Sequence, residues 1–353
     1  MEKKVDYLIV GQGLAGTFLA FQLMQKGKSV LVVDKGLKYA SSRVAAGVIN
    51  PIVLKRFTIT WRAKEFLKYN PSFYKKLDTY LGNQYHFDLP LKKLISSQEE
   101  IDFWEHRYHK ENVSDFINRK LIDAGNEILP AQNFKVGTVK QASWLNIGEL
   151  LPDFRSRLIQ NNSILEEDFD FSFLQKNSYK KIEFKTIVFC EGARGKYNPL
   201  FKNLPFSLNK GQLMTVKSDQ LPSNCLLKKK VFILPAAKGE FKIGATYSWK
   251  WDTSSEAAEH QIEEEKTDML KSYMKEMTSA NYTVSKIETG IRPSIKDRRP
   301  IIGQHPDKKN VYIFNGLGSR GCFMAPLLVD EFIGHAEHGT ALHPEVNLNR
   351  YNT

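Results

Sequence analysis

Apolar residues in this chain fall into short runs whose period changes from place to place. Residues 5–10 form a nearly unbroken apolar run, as a strand covered on both faces requires. A glycine-rich turn follows at 11–16, then a helical segment to about Lys26 that stops at Gly27, a position suited to a helix C-terminus. A second strand, 29–33, ends in Asp34. Together these predict a βαβ unit. Residues 57–81 carry Phe57, Trp61, Phe66, Tyr69, Phe73 and Tyr74 at roughly helical spacing, which reads as core, with Pro71 dividing two helices. Ser97 to Glu100 reads as a capping box opening a helix through Tyr108, and Asn146 to Glu149 as a second opening a helix to about Gln160. Residues 164–173 and 186–190 read as strands. Residues 206–217 and 225–247 alternate as antiparallel strands, with a turn at 236–240. Residues 253–277 read as one long helix, acidic early and basic late. Residues 311–315 read as a strand leading to a helix over about 323–338.

The interleaving predicts a mixed fold, α/β plus α+β. A Rossmann-like nucleotide-binding domain would comprise 1–82, 144–205 and 286–353. A discontinuous antiparallel-sheet substrate domain would comprise 83–143 and 206–285. No internal repeat or low-complexity segment interrupts this division.

The first turn carries the candidate chemistry. Gly11, Gly13 and Gly16 form G-x-G-x-x-G between a strand and a helix, and Asp34 lies eighteen positions after Gly16. Gly11 permits the tight turn, Gly13 leaves room for a pyrophosphate, and Gly16 allows close helix–strand packing. The helix N-terminus offers free N–H groups and a positive dipole end to phosphates. Asp34 can accept hydrogen bonds from ribose hydroxyls. Lys35 beside it bears on NAD against NADP, and the fingerprint alone does not choose between FAD and NAD. The small, nearly uncharged stretch 39–51 suits close backbone approach to a flat ring or a phosphate, or serves as an ordinary buried loop.

Composition narrows the classes. The 353 residues are 42% hydrophobic and 25% charged, ordinary for a globular protein of two domains. No apolar run approaches the ~18 residues of a membrane span. The first strand begins by Val5, which leaves no room for a signal peptide, so a cytoplasmic location is expected. Cys190, Cys225 and Cys322 are scattered, without C-x-x-C or a disulfide framework, consistent with a reducing compartment. His106 and His109 lack the acidic or thiol company of a metal site, so no metal is expected. The net charge of +12 favours anionic partners such as nucleic acid, although its short basic clusters also fit a solvated surface. The oligomeric state is not legible.

A second strand–glycine loop–helix closes the chain: Gly316-Leu317-Gly318-Ser319-Arg320-Gly321. No further strand and acid follow, so it is not a second dinucleotide site. A helix N-terminus there suits the electron-rich edge of a flavin, where negative charge develops on reduction, which tips the cofactor towards FAD. Upstream, Arg292 sits between Ile291 and Pro293, an apolar setting suited to bidentate capture of a carboxylate. A structural ion pair is the alternative.

These motifs resemble the D-amino-acid oxidase and glycine oxidase superfamily of FAD enzymes over nearly the whole chain. The resemblance is carried by Gly11 to Gly16, Ala45-Ala46-Gly47, 232–235, 243–247, 290–293 and the C-terminal glycine loop. Within it, Gly316 to Pro326, Trp144-Leu145 and Lys210-Gly211-Gln212 look most like one branch. That branch is the FAD domain of the bifunctional enzyme that builds 5-methylaminomethyl-2-thiouridine in tRNA, whose methyltransferase half this chain lacks. The resemblance implies that Gly11, Gly13, Leu14, Ala15, Gly16, Asp34 and Lys35 hold the ADP half of FAD. Ser42, Ala45, Ala46, Gly47 and Val48 would line the flavin, with Glu191 and Gly192 beyond. Gly318, Ser319, Arg320 and Gly321 would meet its pyrimidine edge. Arg292 matches the arginine that binds the substrate carboxylate, and Phe232 and Tyr247 fall at substrate-pocket positions. No cysteine lies near Arg292, so FAD is expected to be non-covalent.

The implied activity is oxidation of the C–N bond in an N–CH–COO⁻ unit. Two substrates compete: the carboxymethylaminomethyl group of a tRNA wobble uridine, hence tRNA modification, or a free small amino acid such as glycine, sarcosine or a D-amino acid. A flavin- or RNA-binding protein without turnover is a third reading.

Overall fold

The computed structural model describes residues 3–37, 39–125, 128–237 and 239–351. Two large sheets organise it. In the first, strands lie in the order Ile164–Leu165, Val30–Val33, Lys3–Val10, Ile182–Phe189, Lys308–Asn315, Ile301–His305. All neighbours are parallel except the last pair, and Ser178–Tyr179 adds an antiparallel flank to Ile182–Phe189. Their apolar side chains are covered on both faces, as a parallel sheet demands. Val10 stands opposite both Val33 and Phe189, and Phe189 opposite Ile313. The loops after Val10, Val33, Phe189 and Asn315 therefore open along one carboxyl edge.

The second sheet has eight strands: Thr283–Arg292, Asn209–Lys217, Glu240–Gly244, Phe232–Pro235, Leu226–Lys228, Leu91–Ile95, Lys135–Val139 and Ile122–Asp123. Every described pair is antiparallel except Leu226–Lys228 with Leu91–Ile95, so the sheet is mixed where an antiparallel one is expected. Its outer face packs on the helix Glu264–Met277 through Met214, Val216, Leu270 and Met274. The expected boundary at 286 falls inside Thr283–Arg292, which pairs with Asn209–Lys217 from end to end.

Several local expectations change. Pro71 does not divide residues 63–81: one helix, Ala63–Leu81, runs through it. A mid-helix proline costs about 3 kcal/mol, and burial of Phe66, Phe73, Tyr74 and Leu77 outweighs it at roughly 2 kcal/mol per side chain. Phe73 meets Phe18 and Phe21 of the first helix at 5.1 and 5.6 Å between ring centroids. Residues 253–277 form two helices, Glu256–Glu259 and Glu264–Met277. The break is fixed from outside, because the buried Gln212 amide accepts from Glu263 N at 3.0 Å and donates to Thr267 Oγ1 at 2.7 Å. The strand expected over 164–173 shortens to Ile164–Leu165, since the chain turns acidic at Glu166 and leaves the sheet. Ser97 caps Gln98–Tyr108 as expected, while Glu100 reaches Ser96 N, one residue before the cap. Asn146 makes no side-chain cap on Ile147–Gln160. The turn between Phe232–Pro235 and Glu240–Gly244 is present, with Lys238 outside the described residues.

Candidate active site

The first helix, Leu14–Gln25, starts against the strand it follows. Gly11 adopts φ +102°, and a Cβ there would lie 2.6 Å from Cys190 O. At Gly16 a Cβ would overlap Gly11 O, so the glycines set how closely helix and turn approach. Gly13 faces the Ser42 hydroxyl, which accepts from Leu14 N at 3.1 Å. Ala15 continues this buried first turn.

Asp34 ends the second strand. Its Oδ2 accepts from Gln12 N at 2.8 Å, and its Oδ1 from Gly36 N at 2.7 Å and Arg155 Nη1 at 2.8 Å. Arg155, from the helix Ile147–Gln160, also donates to Asp34 O, Gln12 Oε1 and Glu166 Oε1. No motif marks Arg155 in the sequence. Lys35 turns away to pair with Asp168 at 2.7 Å.

The stretch from Ser42 to Val48 lies between the two sheets. Gly47, at φ +85°, packs on the backbone of Leu145, and Trp144 Nε1 donates to Ala46 O at 2.8 Å. Val48 pairs with Trp144. On the other side, Val44 and Ser41 approach Gly290. Lys242, half-buried on the inner face of the second sheet, donates to Ala45 O at 3.3 Å, and burial lowers its pKa. The sequence offers only its alternation with Phe241 and Ile243 as a signal.

Glu191 and Gly192 follow Ile182–Phe189. Burial pushes the Glu191 carboxyl up to about 7, although Asn198 donates to it at 2.6 Å. Gly192 O accepts from Asn315 Nδ2 at 3.0 Å, so Asn315 ties this loop to the C-terminal one. In the C-terminal loop Gly318 has φ +56° and donates to Pro293 O at 3.2 Å, beside the exposed Ser319. Arg320 precedes the helix Gly321–His338 and donates to Asn50 O at 3.2 Å and Thr60 Oγ1 at 2.7 Å. A Cβ on Gly321 would stand 3.1 Å from Leu14 Cδ1. The N-termini of the first and last helices thus meet, and both positive dipole ends converge on one region.

Arg292 closes its strand at the rim of the second sheet. Its Nη1 donates to Asn209 Oδ1 at 2.6 Å, and both terminal nitrogens reach Thr246 O at 3.3 Å. The guanidinium lies 4.6 Å from the Tyr247 ring centroid, above Gly211. Tyr247 lies close enough to act electrostatically on both Arg292 and Arg320, and burial lowers both arginines' pKa values. Among the described residues neither arginine has a carboxylate within salt-bridge distance, so the ion-pair alternative for Arg292 is not what the structure contains. Phe232 stands opposite Gly244, next to Leu213 on the same face.

Described residues contain no cluster of three or more His, Cys, Asp or Glu able to hold a metal, and no helix long and apolar enough to cross a membrane. The arrangement is instead that of an enzyme built around an electron-rich, phosphate-bearing cofactor. Two helix N-termini, a glycine cradle and two acid-free arginines would supply positive potential to a pyrophosphate and a reduced flavin. The model for the DAO family, FAD dependent oxidoreductase, matches residues 6–330, and the chain belongs to that family. FAD is its cofactor, and the residues just described fit it.

The chain is 22% identical to an uncharacterized oxidoreductase, YurR, of Bacillus subtilis, over 92% of each chain. It is 25% identical to the tRNA 5-methylaminomethyl-2-thiouridine biosynthesis bifunctional protein MnmC of Leptospira interrogans, over 89% of this chain and 54% of that protein. The chain therefore spans about half the length of the MnmC relative. The crystal structure of glycine oxidase from Geobacillus kaustophilus superposes with a TM-score of 0.76 at 18% identity, covering 98% of both chains.

Proposed function

We propose that this FAD-dependent oxidoreductase oxidises the C–N bond of an amine whose α-carbon carries a carboxylate, and that the amine is the carboxymethylaminomethyl group on a tRNA wobble uridine. The observation that carries the reading is Arg292. It is a half-buried cation at the rim of the substrate-side sheet, fixed by Asn209, Thr246 O and Tyr247, with no described acid to neutralise it. A carboxylate completes this set, and its capture sets the orientation of the adjoining C–H and C–N bonds. FAD supplies the two-electron acceptor, bound non-covalently. Ser42 to Val48 and Gly318 to Gly321 would set its flavin end, and Gly11 to Gly16 with Asp34 its nucleotide end.

Two exposed rings near Arg292 in the chain's fold support a substrate larger than glycine. Ser248 pairs antiparallel with Lys210, so Tyr247 and Trp249 share the face of Asn209 and Arg292. They are 58% and 62% exposed, a pair of rings available to a planar heterocycle beyond the amine. The net charge of +12 and the match to MnmC point the same way.

The test is anaerobic mixing of FAD-loaded protein with tRNA that carries the carboxymethylaminomethyl group, followed by flavin absorbance. Bleaching by this tRNA and not by millimolar glycine, sarcosine or D-alanine is expected. Bleaching by a free amino acid alone assigns the enzyme to small amino acids and defeats the tRNA reading.

A further inference from the structure

Lysines converge where the strand Leu226–Lys228 ends beside the middle of Leu91–Ile95. These two strands run parallel, with Lys228 directly opposite Lys93. Lys228 is also opposite Phe232, so the pair lies on the sheet face that carries Phe232. Lys229 joins them from the following turn. One carboxylate serves the group: Glu100 lies 3.4 Å from Lys93 Nζ and 3.4 Å from Lys229 Nζ. Glu100 is itself held by Ser96 N at 2.8 Å. Lys229 also donates to Ser96 Oγ at 2.6 Å, while the described contact of Lys228 Nζ is Lys230 O at 3.0 Å. Neighbouring cations are neutralised elsewhere: Lys230 by Glu276 and Lys135 by Asp123.

Lys93 and Lys229 thus share one carboxylate, no described carboxylate reaches the adjoining Lys228, and the Lys93 and Lys229 side chains are only 13% and 11% exposed. Like charges directly opposite in a sheet destabilise it, and a sequestered ammonium without an anion costs more. Burial, reinforced by Lys93, pushes Lys228 down to about 8. The conflict disappears if an anion of charge near −2 sits among them. Ammonium groups act as point charges and suit a tetrahedral phosphate, whereas a planar carboxylate favours the arginine fork.

We propose that Lys93, Lys228 and Lys229 form a phosphate-binding site at the sheet rim beside Phe232. The phosphate belongs either to the backbone of an RNA substrate or to a free phosphorylated molecule. Only the RNA alternative rests on the proposed tRNA activity.

The experiment uses the full FAD-loaded chain in two arms. Inorganic phosphate and pyrophosphate are titrated by calorimetry, and a fluorescent anticodon-arm RNA hairpin by anisotropy at several salt concentrations. Wild-type protein is expected to bind in at least one arm. Lys93→Gln with Lys228→Gln should weaken that binding about tenfold or more and, for RNA, reduce the salt slope by about 1 to 2. Lys228→Gln alone should raise the melting temperature in phosphate-free buffer, which guards against loss of fold. A response in the phosphate arm only assigns the site to small phosphate esters. A response in the RNA arm assigns it to the nucleic-acid backbone. Unchanged affinities in both arms, with native melting, overturn the site. Amine-driven flavin bleaching is read separately, so failure of the amine reading is not confused with failure of this one.

Discussion

At the scale of single residues, Arg292 and Glu191 give the sharpest expectations. Replacing Arg292 by Ala should raise KM for a carboxylate-bearing amine by about 30- to 150-fold, the equivalent of about 2–3 kcal/mol for a charge-assisted hydrogen bond. FAD content should not change, and Arg292→Lys should recover little, because a lysine cannot reproduce a fork that reaches Asn209 and Thr246 together. Steady-state kinetics with flavin absorbance reads both. Glu191 is held near pH 7 by burial, against 4.5 for an ordinary glutamate. Its folded pKa lies above its unfolded one, so ionisation opposes the fold: stability is full below about pH 4.5 and is lost as pH rises towards 7. Chemical denaturation of Glu191→Gln should therefore show a variant that gains on wild type across that window, by about 3 kcal/mol at pH 8. Legibility at this scale is divided. Arg292 could be found because an arginine framed by apolar residues and a proline is conspicuous. Arg155, Asn315 and Lys242 could not, since each reaches its partner across a fold that brings distant segments together and none sits in a motif.

At the scale of elements, local pattern predicts well where burial and propensity agree. Leu14–Gln25 and the strands beside it are fixed by apolar runs and by glycines, and they appear close to the expected bounds. Pattern fails where a tertiary contact overrides it. Pro71 is carried by the aromatic packing of Phe66, Phe73 and Tyr74, so Pro71→Ala should stabilise the protein by about 1 kcal/mol or more, seen as a higher melting temperature. Gln212 restarts a helix that charge pattern alone would draw without interruption. The helix Ile147–Gln160 has a further task, since it delivers Arg155 to Asp34. Arg155→Ala should free the Asp34 carboxylate to swing and weaken FAD binding by about tenfold, measured by fluorescence on reconstitution of the apoprotein. Equal FAD affinity in the variant would show that Gln12 and Gly36 orient Asp34 without it.

At the scale of the whole molecule, the two-sheet plan was legible from the interleaving of patterns, and the family resemblance reached nearly the full chain. The mixed direction of the second sheet was not legible, because parallel pairing of Leu226–Lys228 with Leu91–Ile95 joins segments more than a hundred residues apart. The three cysteines are buried, and burial raises the pKa values of the Cys190 and Cys322 thiols, so thiolate attack on a flavin is disfavoured at both. Heat or acid denaturation followed by ultrafiltration should leave all yellow colour in the filtrate; flavin retained with the chain would overturn non-covalent binding.

The meeting of Leu14 with Gly321 bears on how the protein is made. The first wall of the proposed cofactor site is translated some three hundred residues before the opposite one. A growing chain on the ribosome offers only half a grip on the dinucleotide until the last helix is released. Flavin loading should therefore wait for the helix Gly321–His338, and chains truncated before Gly321 should emerge colourless however well their first sheet has formed.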